Sequence, residues 1–578
     1  MVVSVVEQKP DTYLLWKTFY FPTEHGPRHA IAVKSSVADI LNSTYANLLP
    51  RLMTNVWAII LSIVVFLIWR ADRKQKPHPV LPTLWNNLGD IGSIAEALKY
   101  RNRKEHKQAW LFPLLLLIFA AWAAQTALNI VVPPLLILGN AAPVNPEAIY
   151  IPDLGESDTN LQAVTRFALE TPWALRALGS ADQANADLHD KVKFSLIPEG
   201  SSADGESILR LNYEYNVTGL DFGLQRYPHL HLYVTGSCVT EYTWHSATRI
   251  APLGSALIAL DDYVLFPNSI GQRVANVSLF DGPKPSAQFF TGNQLNGTLE
   301  KSNITWAAVV SSVNRTSFME GNDPWYLTEF ALTGVVGVDY RVKSARPALS
   351  CWEDTVWSYK GRNSTVGVLN SINLPGLDLP ESMQTFFSRY LGSPMIQQLG
   401  SRVGLSALKS TTTALGQIFD AGSSSFQDDL ERLLLASYIA TVNILTDSTL
   451  YSANASSRVP NQARGDDGEP QPGIGSFVVW NADVSAVSLR ILIVIPSLLA
   501  ASWVLLNLLL YFTPLSLVNG LDAGNIHEYL QDTQSLAGAY ATLSRDDKKR
   551  PTWTVVESGD QNPETSNVEY VAASPKKD

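Results

Sequence analysis

The sequence predicts an integral membrane protein with three transmembrane α-helices and one large α+β domain, β-rich first and helical after, on the extracellular or luminal side. Three observations lead there. The chain has 578 residues and an ordinary 46% hydrophobic content, yet its apolar residues gather into runs at 53–69, 109–139 and 487–513, close to the roughly 20 residues that cross a hydrocarbon core. All seven sequons between the second and third runs, Asn216, Asn276, Asn296, Asn303, Asn314, Asn363 and Asn454, fall in 140–486, while 70–108 and 514–578 hold none. Such acceptors mark surface loops in a secretory compartment. Segment 70–108 carries nine Lys+Arg against four Asp+Glu, and 140–486 carries 22 against 35, the asymmetry expected when short basic loops stay in the cytosol.

Each element follows in order. Residues 1–52 form an outer N-terminal segment. In it Val37, Ile40, Leu41, Tyr45, Leu48 and Leu49 recur at helical spacing behind a Ser36–Asp39 capping box, and Pro50 closes the pattern. The run 53–69 lies too far from Met1 for a cleaved signal peptide and reads as a signal anchor. The basic segment 70–108 is then cytosolic, with an apolar stripe of Leu84, Leu88, Ile91, Ile94, Ala95 and Leu98 before its Lys99–Lys107 cluster. The run 109–139 returns outward, with Pro133 and Pro134 ending or kinking it. Polar residues inside the runs, such as Ser62, Gln125, Asn129, Ser502 and Asn507, suit hydrogen bonds between helices.

The domain 140–486 alternates in strand fashion early. Leu209, Leu211, Tyr213, Tyr215 and Val217 interleave with polar residues, Leu230, Leu232 and Val234 make a second strand, and 335–342 a third. From about Ser382 the period becomes helical, over 382–418 and 425–450; Arg432 and Asp447 argue against a membrane crossing by the latter. Segment 458–475 reads as a polar linker. The run 487–513 then leads to a cytosolic tail, 514–578, largely disordered and polar over 540–578. Within the tail, Tyr540-Ala-Thr-Leu matches a permissive sorting pattern.

The acidic balance of 140–486 argues against nucleic acid as a partner. Phosphate loops, nucleophile elbows, H-E-x-x-H and EF-hand patterns are absent, and no cofactor is implied. His229 and His231 share a strand face, with Glu241 and His245 downstream; they are weak candidate metal ligands, set against a plain polar strand face. Trp244, Trp306, Trp325, Trp352 and Trp357 are candidates for sugar stacking or, as is usual for such rings, for the core. Cys238 and Cys351 are the only cysteines; both fall in the sequon-bearing region, where an even pair predicts a disulfide.

The stretch Ser350-Cys351-Trp352-Glu353-Asp354 to Trp357 resembles a Cys-Trp-Glu segment of uncharacterised multi-spanning membrane glycoproteins of filamentous fungi. The layout of paired N-terminal spans, large glycosylated domain and one late span is similar too. The resemblance implies this topology and a fungal origin and assigns no functional residue. The sequence thus predicts a glycoprotein of the plasma membrane or another secretory membrane, its N-terminus outside and C-terminus cytosolic. Its expected partners are the lipid bilayer and an extracellular or luminal molecule. An accessory role in a secretion or small-metabolite pathway, and a membrane-tethered hydrolase using His229, His231 and Glu241, are the alternatives.

Overall fold

A computed structural model describes residues 8–71, 111–152, 160–183, 186–253, 256–267, 272–278, 285–292, 303–313, 315–332, 336–413, 418–451, 459–512, 540–545 and 551–556. Most of the basic segment 70–108, most of the tail 514–578, and the sequons Asn296, Asn314 and Asn454 lie outside the described residues. The helices are α1 Ser35–Ala71, α2 Leu111–Leu136, α3 Asn160–Asp182, α4 Ala186–His189, α5 Glu381–Leu391, α6 Met395–Val403, α7 Phe426–Asp447 and α8 Leu489–Phe512. The early strands are β1 Thr18–Phe21, β2 Arg28–Lys34, β3 Ile137–Gly139, β4 Ala141–Pro143, β5 Val192–Ser201, β6 Ser207–Thr218 and β7 His231–Glu241. There follow β8 His245–Leu253, β9 Ala256–Leu265, β10 Arg273–Ser278, β11 Ala287–Thr291, β12 Asn303–Val310, β13 Thr316–Ser317, β14 Thr328–Phe330 and β15 Tyr340–Val342. Last come β16 Ala348–Tyr359, β17 Arg362–Thr365, β18 Ile418–Phe419, β19 Val478–Trp480, β20 Val484–Ser488, β21 Tyr540–Arg545 and β22 Pro551–Val556.

The chain divides into two units, Met1–Lys34 with Gly139–Ala486, and Ser35–Leu138 with Val487–Asp578. The first is a β-rich domain with helices. Its centre is an antiparallel sheet in the order β11-β12-β16-β7-β6-β5, with β17 added to β16. Period-two alternation sorts this sheet into two faces. Leu211, Tyr213, Tyr215 and Val217 of β6 point to one face with Leu232 and Val234 of β7 and Cys351, Glu353 and Trp357 of β16, all buried. Helix α7 packs against β5 and β6, and α6 against β11; Tyr215 meets Tyr438 of α7 edge-on with centroids 5.9 Å apart. Part of the opposite face is covered by the sheet β10-β9-β8. There Ala307, Val309 and Ala348 share a core with Trp244, Tyr263, Leu265 and Val277.

Helix α7 is the acid-bounded helix expected over 425–450. Ser425 caps it, accepting from Asp428 N at 3.0 Å, and the Asp323 carboxylate accepts from Phe426 N at 2.9 Å. It is buried along almost its whole length, as a core helix of a globular domain. Arg176 of α3 pairs with Asp447 at 2.8 Å, and Asp182 of α3 with Arg432 at 2.7 Å.

Several expectations need correction. The helical stretch 382–418 is two helices broken at Gly392-Ser393-Pro394 and followed by short 3-10 turns, since Pro394 lacks the N–H to continue α5. The linker 458–475 is no tether: Val459, Ala463 and Ile474 are buried, and Asn461 bonds Ile151 N at 2.8 Å and Ile149 O at 2.8 Å. The strand over 335–342 shrinks to β15, three residues paired with β13 and β14. In the tail, β21 and β22 pair antiparallel, and its other residues lie outside the described ones.

In the second unit, α1 packs against α2 and α8. Helix α1 runs unbroken through Pro50, so the amphipathic stretch and the first apolar run form one helix where Pro50 was expected to separate them. Helix α2 carries Pro133 and Pro134 in its last turn and ends at Leu136. Among the described residues, one helix is long and apolar enough to cross a membrane, Leu489–Leu509 of α8, with mean hydropathy 2.3. Pro496 within α8 cannot donate to the carbonyl of Leu492 one turn back. The Tyr45 hydroxyl of α1 donates to that carbonyl instead, at 2.7 Å. Asn55 Nδ2 reaches Ser502 Oγ at 3.3 Å, a polar contact between helices of the kind expected for Ser502.

Candidate binding surface

Cys238 and Cys351 are directly opposite in the register of β7 and β16 and form the expected disulfide, their Cα atoms 4.1 Å apart. Two residues along each strand, Gly236 stands opposite Glu353 on one side and Tyr213 on the other. A Cβ on Gly236 would lie 2.2 Å from the Tyr213 ring, so the glycine lets that ring lie across the middle strand. The Tyr213 hydroxyl then donates to Glu353 Oε2 at 2.8 Å. Burial pushes the Glu353 carboxyl up to about 7, against the lowering effect of hydrogen bonds from Tyr213 and Thr355.

A second buried carboxyl repeats the arrangement. Asp429 of α7 accepts from the Tyr326 hydroxyl at 2.6 Å and from Ser410 N at 2.7 Å, and burial raises it to about 6. Asp323, which caps α7, is raised to about 6 by burial, with three backbone N–H bonds opposing and the charge of Asp429 adding. Glu353 and Asp429 are buried inside the domain and Asp323 is half-buried, and their raised carboxyls tie its stability to pH.

The weak metal candidates are not brought together. His231 and Glu241 occupy opposite ends of β7, about 33 Å apart at roughly 3.3 Å per residue. His231 Nδ1 is hydrogen-bonded to Asn216 Nδ2 at 3.2 Å, and its pKa is lowered by burial and by His229. Glu241 accepts from Thr243 N at 3.0 Å. His245 Nε2 bonds buried Asp261 at 3.2 Å. Among the described residues no three His, Cys, Asp or Glu side chains are grouped to hold a metal ion. Of the tryptophans, Trp244, Trp306, Trp325 and Trp357 are core, and Trp352 is 38% exposed. The sequons Asn276 and Asn363 are exposed and Asn216 is half-buried.

Concave surface occurs where no motif stands in the sequence. A cleft of about 910 Å³ is lined by Ile151, Glu381, Phe386, Arg389, Gln462 and Arg464 among others. Arg389 donates to Gln462 Oε1 and to Pro152 O, and Arg464 to Glu147 Oε2 at 2.6 Å. A second cleft of about 720 Å³ includes Tyr20, Glu147, Arg226, Tyr227, Asp378 and Glu469. There the Arg226 guanidinium sits 5.1 Å from the Tyr20 ring centroid, and the Tyr227 hydroxyl donates to Asp378 O at 2.9 Å. Pro380, Gln471 and Pro472 line both clefts. Rigid proline walls, aromatic faces and charges of both signs suit a polar, extended ligand. The nearest signal in the sequence was the density of prolines around 460–472, which composition alone assigned to a linker.

A family model described as Domain of unknown function (DUF8406) matches residues 171–479, more than half of the chain. The chain belongs to this family. The DUF8406 region begins within α3 and ends within β19, so it takes in the central sheet, both buried Tyr–carboxyl pairs and most of the cleft walls. No curated protein and no solved structure matches the chain.

Proposed function

We propose that this DUF8406 protein is a three-span membrane glycoprotein of the plasma membrane or another secretory membrane. Its β-rich domain faces outward and acts by binding a polar extracellular or luminal partner. The observation that carries the topology is that residues 8–34 and 139–486 fold together. Asn481 Nδ2 donates to Gln8 O at 2.8 Å, Leu14 N to Pro143 O at 3.0 Å and Asn145 N to Thr12 O at 2.8 Å. A chain that leaves one folded unit at Lys34 and rejoins it at Gly139 crosses a membrane an even number of times between them. The apolar segments of α1 and α2 supply two crossings, and α8, which continues directly from β20, supplies the third. The sequons and the basic segment 70–108 then orient the domain outward, the layout shared with the fungal glycoproteins that the Cys351-Trp352-Glu353 segment resembles.

The binding role rests on the adjoining clefts. The hydrolase alternative required His229, His231 and Glu241 to converge, which they do not. Proximity labelling from a peroxidase fused to the N-terminus tests the reading. Luminal or extracellular proteins should be labelled, and Arg226→Glu with Asp378→Arg should remove part of that set. Labelling confined to cytosolic proteins would overturn the topology, and a set unchanged by the cleft variants would overturn the binding role.

A further inference from the structure

The outward face of the central sheet is only half covered. At one end Ala307, Val309 and Ala348 lie under the sheet β10-β9-β8. Beyond them the register carries the same face through Trp352 opposite Ser237 and Thr305, Asp354 opposite Thr235, and Val356 opposite Tyr233. Here Thr235 is exposed, Trp352 is 38% exposed and Tyr233 is 44% exposed. Two aromatic rings thus stand half-exposed on this open sheet face.

Three sequons fall on this uncovered half. Asn216 of β6 is the register partner of Tyr233, and Asn363 of β17 that of Ser358. Position 303 of β12 pairs with Asp354, which makes it the diagonal neighbour of Trp352, a relation that brings residues to about 7–8 Å. Tyr233 therefore stands directly opposite an acceptor asparagine. Around Asn216 a platform already exists, because the His231 ring lies nearly parallel to Tyr233, 11° between planes and centroids 5.7 Å apart, and is hydrogen-bonded to the Asn216 amide. A partner protein on this face would have to displace up to three bulky sugars; the sugars themselves fit it, since the C–H face of a pyranose covers an aromatic ring while its hydroxyls face the exposed Thr235 and the half-buried Asp354.

We infer that the uncovered half of the central sheet is a glycan-covered face, with N-linked sugars at Asn216, Asn303 and Asn363 and the first sugar on Asn216 lying over Tyr233. The inference rests on the outward orientation proposed above and goes beyond it by assigning an occupant to one face. It also directs partners to the clefts.

Site-by-site occupancy of the full-length protein from a secretory host, read by peptide mass spectrometry after amidase release in heavy-oxygen water, is the first test. Modification at Asn216, Asn303 and Asn363 as well as Asn276 is expected. Occupancy at Asn276 with the three sheet positions unmodified would overturn the inference while leaving the outward orientation intact; no occupancy at any sequon would overturn the orientation itself. The second test is melting of wild type, Asn216→Gln, Tyr233→Ser and the double variant. Tyr233→Ser should lower the midpoint by about 2–4 °C in the glycosylated background, and the loss should vanish in the Asn216→Gln background. An equal effect of Tyr233→Ser in both backgrounds would overturn the stacking of sugar on ring.

Discussion

Glu353 is buried beside a tyrosine hydroxyl, and its hydrogen bonds come from Tyr213 and Thr355. Its carboxyl is raised from 4.5 to about 7, so between those values the folded protein holds a proton that the unfolded chain has released. Stability from this residue is therefore greatest in mild acid and is lost as pH rises through the folded pKa. A shift of about 2.5 units at about 1.36 kcal/mol per unit corresponds to roughly 3 kcal/mol in full, of which roughly 2–3 kcal/mol falls between pH 5 and pH 8. Glu353→Gln keeps an oxygen for the Tyr213 hydroxyl and removes the titration. Denaturant unfolding of the detergent-solubilised protein at the two pH values should show wild type losing about 2–3 kcal/mol more than the variant on going to pH 8. Asp323 and Asp429, both raised to about 6, contribute the same sign in both proteins and cancel in the comparison. Parallel pH profiles for wild type and variant would refute a proton held at Glu353.

Other outcomes follow from the same structure. Replacing Cys238 and Cys351 by Ala removes a cross-link between residues 113 apart, worth about 4–5 kcal/mol at most by the chain-entropy estimate; alkylation of the unreduced, denatured wild type should find no free thiol. Gly236→Ala should cost more than about 1 kcal/mol, because the new methyl displaces the Tyr213 ring, and the variant's near-ultraviolet dichroism should change with it. Tyr45→Phe should weaken the α1–α8 contact by about 0.6–1.7 kcal/mol, but not when Pro496→Ala returns a helical N–H to the Leu492 carbonyl; additive single effects in that double-mutant cycle would show the hydroxyl is not replacing the missing donor.

Local patterns in the sequence announced the parts of the domain that depend on local periodicity. Leu211, Tyr213, Tyr215 and Val217 alternate with polar residues because one face of β6 is buried under α7, and Arg432 and Asp447 marked α7 as a globular helix. What stayed hidden is what distant segments build. Helix α3 contains Pro172, and it is held by Trp173, Ala177 and Leu178, which are buried, and by its ion pairs to Asp447 and Arg432. Residues 459–475 are polar by composition, yet three isolated apolar side chains and Asn461 anchor them. The clefts join Tyr20, Glu147, Arg226, Asp378 and Pro472, residues that no window in the sequence contains together. Pro50 was read as an interruption, and α1 continues through it; α8 continues through Pro496, where the freed carbonyl of Leu492 is met by Tyr45.

The central claim is that the β-rich domain, with its N-terminal strands, lies outside and that three crossings put the C-terminus in the cytosol. Epitopes at the two termini of one full-length chain, stained in cells of a secretory host before and after permeabilisation, test it most directly. The account predicts that the N-terminal epitope is reached on intact surfaces or vesicle lumens while the C-terminal one is reached only from the cytosolic side. Both epitopes on one side, or the N-terminal one in the cytosol, would contradict it.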